Sequence, residues 1–85
     1  LLSVMEIVDE VAFRRLDTRV AAFLLARGRL QNPIRITHQE IAAELGSSRE
    51  VISRMLEEFG KQGVIRAARG VVEVLDFEEL VARGE

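Results

Sequence analysis

The chain has 85 residues, 48% hydrophobic and 31% charged, with no Cys, Trp or Tyr, a single His and a formal net charge of −2. That length suits one small domain burying about 60–65% of its unfolded surface, which argues against a roomy enclosed active site. The missing cysteines exclude a disulfide framework, a thiolate metal site and a Cys nucleophile, and one His does not complete a zinc site.

No apolar run reaches the roughly 18 residues of a membrane span, and Glu6 arrives early where a signal peptide needs a basic start. The expectation is a soluble, cytoplasmic protein, in keeping with the absence of cysteine. Because the chain begins Leu1-Leu2-Ser3, without Met and already in a helical pattern, it is also expected to be a fragment. Its charges are segregated. Residues 1–13 carry −3 and residues 72–85 carry −4, while the stretch from Arg14 to Val71 holds eleven basic side chains against six acidic ones, a net +5. A basic centre between acidic ends suits a polyanionic partner, although solvated helix faces produce the same pattern.

Leu1, Val4, Val8 and Val11 recur at spacings of three and four, one narrow apolar stripe of a helix that pairs with another copy or packs on its own domain. Asp17 is placed to cap a second helix that buries Val20, Phe23, Leu24 and Leu30 and stops at Gly28. With Ala21, Ala22, Leu25 and Ala26 leaving little polar surface, that helix is expected to be the most buried. Pro33 excludes a continuing helix, and Ile34-Arg35-Ile36 alternates as a short strand does.

Thr37 stands three before Glu40, a capping box that opens a helix through Ile41, Ala42 and Leu45 to Gly46. Ser47 and Glu50 have the same spacing, although Ser48 is an equally good cap. The next helix buries Val51, Ile52, Met55, Leu56 and Phe59 and ends between Gly60 and Gly63. Two β-branched runs, Val64-Ile65 and Val71 to Val74, flank Arg66-Ala67-Ala68-Arg69-Gly70 and read as a hairpin with a basic tip. Asp76 with Glu79 forms a third box, opening a short helix with Leu80 and Val81 inward.

Two short helices joined by a Gly-containing turn, followed directly by a hairpin, make a winged helix-turn-helix: mainly α with a small β-hairpin. The run Ile36-Thr37-His38-Gln39-Glu40-Ile41-Ala42, then Leu45-Gly46, Ser48-Arg49-Glu50, Ser53-Arg54 and Leu56 resembles the signature of the Crp/Fnr family of bacterial transcription regulators. The similarity extends over nearly the whole chain, including Ala12-Phe13 at the hinge and Thr18-Arg19-Val20-Ala21. It implies that residues 1–14 are the end of a dimerisation helix, with Leu1, Val4, Val8 and Val11 at the dimer seam, and that 15–85 form the DNA-binding domain. The sensory domain that precedes the helix in that family is missing here, so no cofactor is expected in this segment and the effector is unknown.

In such a domain the recognition helix, here residues 48–59, enters the major groove with its first two turns, which carry Arg49, Glu50, Ser53 and Arg54. Arginine forks onto guanine O6 and N7, and glutamate accepts from cytosine N4. By resemblance, Glu50 and Arg54 are the common base readers, Arg49 matches a guanine reader of the Crp branch and Ser53 a reader of the Fnr branch. The implied target is a two-fold site with TGA-type half-site cores, bound by a homodimer of the full-length protein. Each reader has a plainer reading: Glu50 in the capping box, Arg49 as a solvated side chain, Arg54 paired with Glu50 or Glu58 for about 0.3–0.5 kcal/mol.

Thr37, His38, Gln39 and Ser48 near helix N-termini, with Arg66 and Arg69 on the wing, are the candidate DNA phosphate contacts, although His38 also reads as an ordinary exposed side chain. RNA polymerase is a further partner that the resemblance implies, but the connection from Gly28 to Arg35 is shorter than the loop some relatives use for it. The competing reading is a winged-helix protein-interaction module without DNA binding. An enzyme is excluded by the lack of a nucleophile with an adjacent base, of a Gly-rich phosphate loop and of paired carboxylates outside capping positions.

Overall fold

From Val4 to Arg27 the sequence holds neither Gly nor Pro, and in the computed structural model the chain forms one uninterrupted helix there, α1 (Val4–Leu30). The structure describes residues 4–84, and side chains from residue 15 to 84. The stripe of Leu1, Val4, Val8 and Val11 therefore lies outside the described side chains, and the division expected at residue 14 falls within a single helix. Asp17 caps nothing: it sits mid-helix, where a residue of modest helix propensity costs only about 0.7 kcal/mol and does not break a ladder.

Gly28 does not stop α1 either. A Cβ at this position would stand 2.9 Å from Val74 Cγ2 and 3.2 Å from Phe77 Cε1, so its bare backbone permits a close approach. Among its described side chains, residues 15–30, α1 buries one face. Val20, Ala21 and Leu24 are fully enclosed and Phe23 and Leu25 half-buried, but Ala22 and Ala26 are exposed, and Leu30, expected inward, is 85% exposed.

After α1 come β1 (Ile34–Arg35), α2 (His38–Leu45), α3 (Arg49–Lys61), β2 (Ile65–Ala68), β3 (Val71–Val74) and α4 (Phe77–Arg83). The strands form one antiparallel sheet in the order β1-β3-β2. Ile34 pairs with Val72 and Ile65 with Val74, which puts Ile34, Ile65, Val72 and Val74 in the core with Ile41, Ile52, Met55, Leu56, Phe59 and Leu80. β2 reaches Ala68, so the hairpin tip contracts from the expected five residues to Arg69-Gly70, with Gly70 at φ +73°. Asn32 continues the ladder with its side chain: its Nδ2 donates to the Val74 carbonyl (3.0 Å) and its Oδ1 accepts from the Val74 amide (2.9 Å).

Asp76 caps α4 by accepting from the Glu79 amide (3.0 Å), but its own amide donates to the Val64 carbonyl and the Glu79 carboxylate turns to Arg83, so the reciprocal half of the box is absent. Leu80 is buried as expected; Val81 is half-exposed. Arg83 ties α4 to the end of α3. It donates to Glu79 Oε1 (3.0 Å) and to Gln62 Oε1, and lies 5.1 Å from the centroid of the Phe59 ring.

Burial pushes the Asp17 carboxyl above its ordinary pKa, and the Arg83 guanidinium pulls it back in part. Folding thus makes this carboxyl hold its proton more tightly than it does in the unfolded chain. Ionised Asp17 subtracts from stability at neutral pH, and the subtraction fades as pH falls through the folded pKa and vanishes below the unfolded one. Asp17→Asn is expected to raise Tm at neutral pH and to lose that advantage near about pH 3. A lower Tm at neutral pH would show that attraction to Arg83 outweighs desolvation.

Candidate nucleic-acid interface

The surface that carries the expected readers is assembled from three segments: the start of α2, the start of α3 and the tip of the wing. At the first, the capping box forms. Thr37 Oγ1 accepts from the Glu40 amide (3.1 Å), and the Thr37 amide donates to Glu40 Oε1 (3.1 Å). Gly46 ends α2 at φ +66°, a left-handed conformation that a Cβ would strain.

The second capping box does not form. The Ser47 amide donates to the Ala42 carbonyl (2.9 Å), which ties Ser47 to the end of α2, and Ser48 becomes the cap of α3 by accepting from the Val51 amide (3.3 Å). With Ser48 as cap, Val51 and not Glu50 occupies the third helical position, which frees the Glu50 carboxylate. Ser48→Ala is expected to cost about 1 kcal/mol of stability and Ser47→Ala much less. Chemical denaturation of both variants checks this, and the reverse order would reinstate the Ser47–Glu50 box.

The recognition helix runs from Arg49 to Lys61, within the expected stop between Gly60 and Gly63 and two residues beyond the 48–59 reading segment, since an interior Gly60 costs only about 1 kcal/mol. One face is locked into the core by Ile52, Met55, Leu56 and Phe59. The other presents exposed Arg49, Glu50 and Arg54 and half-buried Ser53. Among the described residues, Arg49, Glu50 and Arg54 make no hydrogen bond or ion pair; the pairs considered for Arg54 are absent. Glu57 instead pairs with Lys61 (3.7 Å), and Glu58 accepts from Gln62 (3.0 Å).

Arg69 and Gly70 at the wing tip line one open cleft of about 270 Å³ with Thr37, His38, Gln39 and Arg49. Five candidate contacts from three segments thus converge there. Arg66 is outside the lining of that cleft, on β2, in an exposed pair with Glu73 (3.6 Å) of a kind worth at most about 1 kcal/mol. Ser48 sits at the head of α3 with its hydroxyl engaged by the Val51 amide. His38 is not the free side chain of its plainer reading: its Nδ1 lies 2.7 Å from Ser53 Oγ. That bond, like the Asn32–Val74 pair, joins residues too far apart in sequence for any spacing rule to find.

Among the described residues, no group of three or more His, Cys, Asp or Glu is placed to hold a metal ion, and no helix is long and apolar enough to cross a membrane.

Residues 18–83 match the Crp-like helix-turn-helix domain. The chain is 31% identical over 83 residues to the transcriptional regulator SdrP of Thermus thermophilus, covering 86% of this chain and 40% of that protein. It is 41% identical over 69 residues to the cyclic AMP receptor protein of the same organism, covering 79% of this chain and 32% of the relative. The crystal structure of the Thermus thermophilus catabolite activator protein aligns with a TM-score of 0.82 at 35% identity, over 91% of this chain and 37% of that one. The chain therefore spans less than half the length of these relatives. A winged helix-turn-helix with this cap-and-turn geometry and a family match over residues 18–83 means that the chain belongs to the Crp-like helix-turn-helix domains of the Crp/Fnr transcriptional regulators.

Proposed function

We propose that this domain binds double-stranded DNA in a sequence-specific manner, with the first two turns of α3 in the major groove. The observation that carries the reading is the exposed and unpaired set Arg49, Glu50 and Arg54, held on a helix whose opposite face is fully buried. A free guanidinium fork and a free carboxylate beside it are the donors and acceptors that discriminate base edges. Ser53 adds a hydroxyl between them. The cleft residues Thr37, His38 and Gln39, with Arg69 and Arg66 on the wing and Ser48 at the head of α3, take the backbone phosphates, which position the domain without specifying sequence.

As a member of a family of transcriptional regulators the chain is not an enzyme. In the full-length protein the reading extends to a homodimer joined through Leu1, Val4, Val8 and Val11, to a two-fold DNA site with TGA-type half-site cores and to a contact with RNA polymerase. Selection from a random pool of duplex DNA, with the winners measured at two salt concentrations, tests it. Enrichment of an inverted repeat with half-sites about one helical turn apart is the expected result. No binding even at low salt would overturn it and leave the protein-interaction module as the surviving alternative.

A further inference from the structure

His38 opens α2 and Ser53 lies on the second turn of α3, yet His38 Nδ1 and Ser53 Oγ are 2.7 Å apart in a half-buried hydrogen bond. The direction of this bond follows the imidazole proton. A neutral ring carrying its proton on Nε2 accepts at Nδ1 from the Ser53 hydroxyl, and the oxygen lone pairs of Ser53 are then free to accept from elsewhere. A protonated ring has no acceptor, so Nδ1–H donates to Oγ and the hydroxyl hydrogen is released to donate elsewhere.

Resting on the DNA-reading function above, we propose that the neutral His38 ring carries its proton on Nε2 and that His38 is a positioning residue for base recognition, whose protonation switches Ser53 from acceptor to donor toward the major groove. As an acceptor, Ser53 matches the amino groups of adenine or cytosine; as a donor, it matches guanine N7 and O6, thymine O4 or adenine N7, and loses cytosine. His38 thus couples the preference at one base pair to pH. Histidine is the residue type whose ordinary titration lies nearest neutrality.

Charged groups stand on each neighbouring element, with the Glu57 carboxylate turned to Lys61. Arg49 of α3 and Arg69 of the wing tip line the same cleft, Glu40 lies two residues along α2 with its carboxylate on Thr37, and Glu57 follows Ser53 one turn along α3. The second ring nitrogen of His38, Nε2, has no bonded partner among the described residues.

The test is selection of random duplex DNA at about pH 5.5 and about pH 8.5, on either side of the ordinary histidine range, using the protein and its His38→Gln and Ser53→Ala variants. In the unaltered protein, preference at one base pair of each half-site is expected to move toward guanine or thymine at the lower pH. The expected size is roughly 3- to 10-fold, that of one neutral hydrogen bond. His38→Gln should hold one preference at both pH values, and Ser53→Ala should lose discrimination at that pair while keeping it elsewhere.

Identical preferences at both pH values in the unaltered protein, or a shift that survives either substitution, would overturn the role of His38 and leave DNA reading intact. If no variant enriches any sequence at either pH, DNA reading itself fails and this inference falls with it. Should His38→Gln fold poorly, the unaltered protein and Ser53→Ala still decide the matter.

Discussion

Replacing Phe59 by Ala is expected to remove about 3–5 kcal/mol of stability. The ring is 1% exposed, on the core face of α3, and its residue's carbonyl accepts from the Val64 amide (3.1 Å) where the chain turns into the wing. Arg83 of α4 lies over the same ring, so truncation removes buried area and the platform on which α4 is held. For a chain of this length, whose whole stability is expected to be about 4–13 kcal/mol, such a loss is a large fraction. Thermal or urea unfolding measures it, with Leu30→Ala as the contrast: Leu30 is 85% exposed, and its truncation should stay within about 0.5 kcal/mol. A Phe59→Ala loss below that of Leu30→Ala would show that the core does not depend on this ring.

Arg54→Ala and Arg69→Ala are expected to weaken DNA binding in different ways. Arg54 stands on the polar face of α3, exposed and without an ion pair among the described residues, so its fork is available to a base. Its loss should cost about 1–3 kcal/mol per domain and relax preference at one base pair of each half-site. Arg69 sits at the wing tip beside the α2 N-terminus, in the cleft proposed to take the phosphates. Its loss should weaken all sequences alike and reduce the slope of log affinity against log salt by about 1 per domain. Titrations of a selected duplex and a scrambled one at several salt concentrations separate the two effects. Equal effects of both substitutions on both duplexes would refute the division between base reading and phosphate contact.

Stability and reading are linked through α3. The residues that anchor it, Ile52, Met55, Leu56 and Phe59, are interleaved with those it presents, so an anchor lost from the core also loosens the orientation of Arg49, Glu50 and Arg54. The rigid scaffold supplies geometric specificity that the side chains alone do not have.

The capping box at Thr37 and Glu40, the left-handed Gly46 and the apolar spacing of α3 were legible in the sequence because each depends on residues within one or two turns of one another. The strand pattern of the wing was legible for the same reason, and with those elements came the winged helix-turn-helix and the polar face that carries Arg49, Glu50, Ser53 and Arg54. What depends on distant partners was not. Asp17 and Gly28 carry local signals for a helix start and stop, but α1 runs through both, because Gly28 is required by Val74 and Phe77 on other elements.

The choice between Ser47 and Ser48 was likewise settled by the Ala42 carbonyl, which takes the Ser47 amide, and that choice releases Glu50 from a structural bond. For α2, α3 and the wing the sequence alone determined which elements form and which side chains face outward, since helical and strand periodicity are local properties; for α1 it did not, and Leu30, expected inward, is exposed. Only the tertiary structure decided which outward side chains meet: His38 with Ser53, and Arg69 with the start of α2, are brought together by helix packing and by the turn of the hairpin, which no spacing along the chain encodes.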